Sequence, residues 1–289
     1  MTAKGEARAT VALRRLETLW FNSGTLCNLA CATCYIESSP TNDALAYLTL
    51  ADVERYLDEI GRDALPVREI GFTGGEPFMN RAMPAMIALA QARGFDVLVL
   101  TNAMRPLRRF EAAMDAMSRD RLTFRVSLDH YTAPVHDAER GAGSFGIALD
   151  GLNWLVGQGF SVAVAGRHLP HESDVEARAG YAALFAGLGL ACPPLVLFPE
   201  MDAGADVPEI TTACWGILDV APDAMMCASS RMVVRRRGAA TPAVLACTLL
   251  AYDPQFEMGS TLAAASKAVA LNHPHCARFC VLGGASCSG

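Results

Sequence analysis

Six continuous apolar runs punctuate this chain, at 16–22, 67–73, 95–101, 122–128, 160–166 and 195–199. Runs of five to seven residues have the length of strands buried on both faces, as parallel sheets require. Between them apolar residues recur every three or four positions, the period of a helix with one buried face. The clearest helix begins at Thr49, whose hydroxyl can cap it. Asp52 sits in its first turn, Val53, Leu57 and Ile60 form its stripe, and Gly61 reads as its stop. Further helical patterns cover 81–93, 106–118, 144–157 and 174–187. Strand and helix alternate six times, which predicts an α/β fold with a parallel sheet and right-handed crossovers. Six units are too few to close an eightfold barrel. In such a sheet chemistry belongs at the C-terminal strand ends, where Cys27, Gly74, Asn102, Ser127 and Arg167 fall.

The alternation is lost from about residue 202. Cysteines then appear at 214, 227, 247, 276, 280 and 287. The expected division is a core at 1–201 and a cysteine-rich module at 202–289, joined by the stretch FPEMDAGADVPE.

Composition narrows the function classes. A chain of 289 residues with 52% apolar content can bury one barrel-sized domain, with or without an appendage. The formal charge of −6 and the scatter of Lys and Arg predict no nucleic-acid partner, and Arg235-Arg236-Arg237 reads as a solvated turn. The opening MTAKGEARATVALRR lacks the apolar stretch of a signal peptide. The most apolar long window, FGIALDGLNWLVGQGFSVAVAG, carries Asp150 and several glycines, so no membrane span is expected. Ten cysteines without a secretion signal point to metal ligands in a reducing cytoplasm.

The sharpest candidate chemistry is Cys27, Cys31 and Cys34 in GTLCNLACATCYIE, spaced C-x3-C-x2-C just after the first strand. Three thiolates so placed can hold three corners of a [4Fe–4S] cube and leave one iron open. A zinc knuckle is the alternative, although zinc motifs favour paired C-x2-C units.

Two further segments resolve the choice. EIGFTGGEP at 69–77 ends a strand in Gly74-Gly75-Glu76-Pro77, and LTFRVSLD at 122–129 ends another in Ser127 and Asp129. The triplet, GGEP and SLD in this order, with the HD…RG…GSF pattern of residues 136–145, resemble the radical S-adenosylmethionine (SAM) superfamily. The resemblance runs from about Leu16 to about Pro199. It implies an open, partial (βα)6 barrel, a [4Fe–4S] cluster on Cys27, Cys31 and Cys34, and SAM bound at the open iron. It further implies reductive cleavage of SAM to a 5′-deoxyadenosyl radical, with electrons from a donor such as flavodoxin or ferredoxin. Gly74 and Gly75 would let the backbone approach SAM, and Glu76 would offer acceptors to its ammonium. Ser127 and Asp129 would bind the ribose or the methionine part, and Asn102 would face cofactor or substrate. Arg167 would pair with the SAM carboxylate, with Arg140 as the rival. Many members carry an aromatic residue just before the third cysteine; here Thr33 stands there, and Tyr35 is expected to cover the adenine or the cluster instead. His136 fits the HD turn better than a catalytic base.

The tail resembles the SPASM/twitch appendages that carry auxiliary iron–sulfur clusters. Its features are Cys214 and Cys227 around DAMMCASSRMVV, the FEMGSTL segment, and Cys276-x3-Cys280-x6-Cys287. One four-cysteine cluster drawn from Cys214, Cys227, Cys247, Cys276, Cys280 and Cys287 is the first expectation, and two incompletely ligated clusters the second. Structural zinc, with His273 and His275 beside Cys276, is the alternative. Cys192, His130, His168 and His171 lack metal spacing. The resemblance implies an enzyme acting on a peptide or small molecule. A non-catalytic iron–sulfur sensor or carrier is the competing reading, and GGEP and SLD argue against it.

Overall fold

The computed structural model describes residues 1–169, 171–199 and 207–284. Cys287 and the expected boundary at 201/202 lie outside the described residues.

All six apolar runs form strands: β1 (Thr18–Asn22), β2 (Glu69–Thr73), β3 (Asp96–Thr101), β4 (Leu122–Ser127), β5 (Ser161–His168) and β6 (Leu195–Pro199). They lie side by side in chain order, every neighbouring pair parallel. Register is continuous across the first pair, from Thr18 opposite Glu69 to Asn22 opposite Thr73.

The tail extends this same sheet. β7 (Ser230–Val234) pairs in parallel with the outer edge of β1, and β8 (Ala243–Leu245) pairs antiparallel with β7. The edge of β1 is thereby covered, so its N–H and C=O groups have ladder partners. The sheet runs β6-β5-β4-β3-β2-β1-β7-β8. Thr10–Val11 and Val269–Ala270 make a separate antiparallel pair that ties the N-terminal segment to the tail.

α1 (Leu50–Arg62) starts in a capping box, with Thr49 Oγ1 accepting from the Asp52 N–H at 3.1 Å and Asp52 Oδ2 from the Thr49 N–H at 2.8 Å. It runs one residue past Gly61 and stops at Asp63, whose N–H bonds the carbonyls of Glu59 and Gly61. α2 (Met83–Ala92) falls within its expected range. The pattern at 106–118 divides into α3 (Arg105–Arg108) and α4 (Glu111–Asp115), because Phe110 turns in to pack on Phe78, ring centroids 6.0 Å apart. α5 (Ala133–Arg140) was not legible from periodicity; α6 (Ser144–Gly157) and α7 (Asp174–Gly187) were.

Alternation along β1 divides the core. Leu19 and Phe21 pack with the helices, alongside Phe72, Val99 and Phe124. Trp20 points the other way, with Leu98, into the apolar cluster of the tail. Arg235, Arg236 and Arg237 are each paired with a carboxylate, Asp52, Glu257 and Asp43 respectively. Among the described residues no helix is long and apolar enough to cross a membrane.

Candidate active site

One cavity opens at the C-terminal ends of the strands. Cys27, Cys31, Cys34 and Tyr35 line one wall, and Gly74, Gly75 and Asn102 the floor beside them. Ser127, Asp129, Arg140 and Arg167 add a polar and charged part of the lining. Of the residues singled out for the SAM site, Glu76 alone is absent from the lining.

The cysteine loop is held locally. The Cys27 N–H donates to the Ser39 carbonyl at 3.0 Å, and Cys34 Sγ accepts from the Ser38 N–H at 3.4 Å. Burial pushes the Cys27 thiol up to about 12, against the relief given by the Leu29 N–H. Burial also raises Cys31, where Arg140 pulls the other way. Protons must therefore leave these thiols as metal enters.

Glycine is required where the second strand end meets that loop. A Cβ on Gly75 would stand 2.4 Å from the Leu26 carbonyl oxygen. One on Gly74, at φ +141°, would stand 2.5 Å from the Gly24 oxygen. In return the Gly75 N–H reaches the Gly24 carbonyl at 2.8 Å and the Glu76 N–H reaches Leu26 at 3.2 Å.

Glu76 turns away from the cavity into the fold. One carboxylate oxygen accepts from the Phe78 N–H at 3.1 Å and Thr101 Oγ1 at 2.9 Å; the other accepts from the Asn102 N–H at 2.8 Å. Burial raises its pKa to about 7 despite these bonds. Glu76 thus fixes the end of β3 and, through it, Asn102. The Asn102 Nδ2 donates to Asn28 Oδ1 at 3.0 Å and lies 3.9 Å from Cys27 Sγ.

The HD…RG…GSF segment acquires separate physical roles. Asp137 receives the N–H groups of Gly143 and Phe145 at 2.7 and 2.8 Å, so it caps α6. His136 is fully buried, and burial lowers its pKa to about 4, which keeps it neutral. Arg140 grips Asp129 through two nitrogens. Burial works against the Asp129 carboxylate, but Arg140 and Arg167 outweigh it and hold the pKa below the ordinary value.

Two participants carried no sequence signal as a pair. Glu139 Oε1 accepts from the Thr33 N–H at 2.9 Å and its hydroxyl at 2.7 Å, and its backbone carbonyl from the Ala32 N–H at 3.0 Å. Arg167 bonds the Thr33 hydroxyl and pairs with Glu139 at 3.0 Å. The end of α5 therefore fastens the backbone between Cys31 and Cys34. Arg125, buried and lining the cavity, also escaped notice. The signal was available: a charge inside the apolar run LTFRVSLD.

A second, apolar cavity lies in the tail. Cys227, Cys247, Cys276 and Cys280 all line it, among Met225, Met226, Val269 and Leu271. Burial raises Cys227 to about 11 and Cys276 to about 12, and raises Cys247 well above its ordinary value. Four thiols from three separate stretches thus line one cavity. Cys214 does not line this cavity; its sulfur accepts from the Thr211 N–H at 3.4 Å. Cys192 is exposed. Among the described residues no three His, Cys, Asp or Glu side chains are grouped to hold a single metal ion; His273 stands outside the thiol cavity, whereas His275 lines it. Leu249 lines both cavities, and an open groove past Thr33, Tyr35, Leu250 and His275 runs between them.

Comparison with known proteins agrees with this geometry. Residues 21–179 match the family model described as the radical SAM superfamily. Mycofactocin maturase MftC of Mycobacterium ulcerans (strain Agy99) is 34% identical over 137 residues, 47% of this chain and 36% of that protein. The antilisterial bacteriocin subtilosin biosynthesis protein AlbA of Bacillus subtilis (strain 168) is 31% identical over 140 residues, 48% of this chain and 30% of that protein. The chain thus spans about a third of the length of these relatives. Streptococcus suis SuiB bound to S-adenosylmethionine shares the fold, with a TM-score of 0.63 at 11% identity over 85% of this chain and 63% of that one.

Proposed function

The chain belongs to the radical SAM superfamily, and from that premise we propose that it is a maturase-type enzyme that modifies a peptide. The observation that carries this reading is the joining of three loop thiols, the Gly74-Gly75 backbone and a charged wall around one cavity. That lining fits a cluster-bound SAM. Three thiols would leave an iron open, glycines would admit the ligand's backbone-like methionine part, and charges of both signs in the lining would suit its ammonium and carboxylate. Cys27, Cys31 and Cys34 would hold the cluster. When bound, the cluster and SAM supply one-electron C–S cleavage to a 5′-deoxyadenosyl radical, which takes hydrogen from unreactive carbon.

The chain's own residues position and enclose. Arg140 and Asp129 neutralise each other and line the cavity as a paired dipole. Glu139 and Thr33 hold the cysteine loop. Asn102, set by Glu76, closes the floor beside Cys27. Tyr35 and Leu249 line both the cavity and the groove and stand where the two meet.

In the tail, Cys227, Cys247, Cys276 and Cys280 fit one fully ligated auxiliary cluster; four thiols in an apolar pocket are the donor set such a cluster takes. With no iron left open, its role is to pass electrons. The peptide assignment draws on MftC and AlbA, named as a maturase and a bacteriocin biosynthesis protein, and on SuiB, known bound to the precursor peptide SuiA. The open groove between the cavities gives such a chain a way in.

The test is anaerobic reaction of the reconstituted enzyme with SAM, dithionite and short peptides encoded beside it. A SAM-dependent mass change in a peptide supports the reading. Conversion of small metabolites alone would assign the small-molecule alternative.

A further inference from the structure

Arg231, on β7, is fully buried and spends its donors on neutral groups. Nε donates to the Ala265 carbonyl at 2.8 Å, Nη1 to those of Cys227 and Ser230 at 2.6 and 2.7 Å, and Nη2 to that of Lys267 at 3.2 Å. Four of the five guanidinium N–H groups are thus used. Among the described residues no carboxylate lies within salt-bridge distance of it, whereas Arg140 and Arg167, in the active-site cavity, each have an acid.

A guanidinium cannot shed its proton in a protein. Its full charge therefore sits in the interior solvated only by carbonyl dipoles, an arrangement that calls for an anion close by. Arg231 shares the face of Leu19, its register partner, and does not itself line the thiol cavity, but it bonds the chain that does. Arg231 binds the carbonyl of Cys227, whose sulfur enters the four-thiol cavity, and its field reaches Cys227 and Cys247. Four thiolates around a cluster carry more negative charge than its iron and sulfide offset, so the loaded cavity is anionic.

We propose that Arg231 is a positioning residue for the auxiliary cluster: it fixes Cys227 through its carbonyl and supplies the buried counter-charge that raises the reduction potential of the cluster. The inference rests on the four-cysteine auxiliary cluster proposed above. A positive charge held in low dielectric favours the reduced, more negative cluster, and its effect is large because little water screens it. The same charge accounts for a buried arginine on a strand that continues as Met232, Val233 and Val234.

The experiment is potentiometric titration, followed by electron paramagnetic resonance, of anaerobically reconstituted protein in which Cys27, Cys31 and Cys34 are replaced by alanine, so that only the tail cluster reports. Arg231→Gln should lower the midpoint potential by at least about 59 mV, a tenfold shift in a one-electron equilibrium. Arg231→Lys, which keeps the charge and loses the fork of hydrogen bonds, should stay near the parent potential while its melting temperature falls. Arg231→Met replaces the glutamine if that variant does not fold. A potential unchanged in the neutral variants, with melting temperature alone reduced, would make Arg231 a strut and overturn the proposal, as would failure of both neutral variants to fold at all. Absence of iron from the tail in the parent protein would instead defeat the auxiliary-cluster reading and the inference with it.

Discussion

Arg140 holds Asp129 in a two-pronged grip, Nε at 2.7 Å from Oδ2 and Nη2 at 3.0 Å from Oδ1, with both side chains largely buried. Neither could be buried at this cost alone. Removing one partner of a buried pair costs about 3–5 kcal/mol when nothing else compensates the charge; here Arg167, 3.5 Å from Asp129, softens the loss of Arg140.

The pH dependence of Arg140→Ala follows from the sign of the Asp129 shift. In the parent the folded pKa is depressed below 3.8, so the stabilising contribution is present above that value and is lost only as the pH falls through the lower folded pKa. Without Arg140, Arg167 at 3.5 Å is the remaining cation against burial, and the folded pKa rises. The ionised carboxyl then stabilises less at neutral pH, and protonation relieves the loss. Thermal melts should show the variant far below the parent at pH 7, with the gap closing below about pH 4. A gap independent of pH would remove Asp129 from the explanation.

Glu76 should behave in the opposite sense. Its folded pKa of about 7 exceeds the ordinary 4.5, so the folded chain binds the extra proton between those values. Stability should therefore decline as the pH rises from about 4.5 to about 7, by about 3 kcal/mol. Glu76→Gln cannot ionise and should flatten that slope in denaturant titrations across the window. An unaltered slope would place its origin elsewhere.

Gly75→Ala presses a methyl group against the Leu26 carbonyl, a backbone atom that cannot rotate away. Overpacking of this kind costs about 1–3 kcal/mol, and the strain falls on the residue before Cys27. The expected result is loss of iron from the first site with the tail cluster retained, read by iron analysis. Full iron retention would show that the loop yields.

The wild-type chain should hold about eight irons, falling toward about four in Cys276→Ala/Cys280→Ala. Cys214→Ala and Cys192→Ala should keep the full number, because neither residue lines the thiol cavity. Stoichiometric zinc with about four irons would restore the structural zinc alternative.

The sequence carried the sheet well because each parallel strand is buried on both faces and so reads as an unbroken apolar run. It carried α1, α6 and α7 through period and caps. It did not carry α5, whose eight residues APVHDAER have only His136 buried and leave no stripe. The loop triplet was legible because Cys27, Cys31 and Cys34 are local. The tail set was not, because Cys227, Cys247, Cys276 and Cys280 converge only when β7 docks on β1. That docking is long-range: Leu19 pairs with Arg231, and nothing near either residue announces it. Glu76 shows a further limit. Its position beside two glycines was plain from the sequence, but the direction of its side chain depends on Thr101 and Asn102, one strand away.

The most direct measurement is formation of 5′-deoxyadenosine by anaerobically reconstituted protein with SAM and dithionite, compared with the Cys27→Ala/Cys31→Ala/Cys34→Ala variant. The wild type should release 5′-deoxyadenosine, and the variant none while keeping the iron of its tail. A wild type that holds its full iron complement yet leaves SAM intact, or a triple variant that still cleaves it, would contradict the assignment of the cavity.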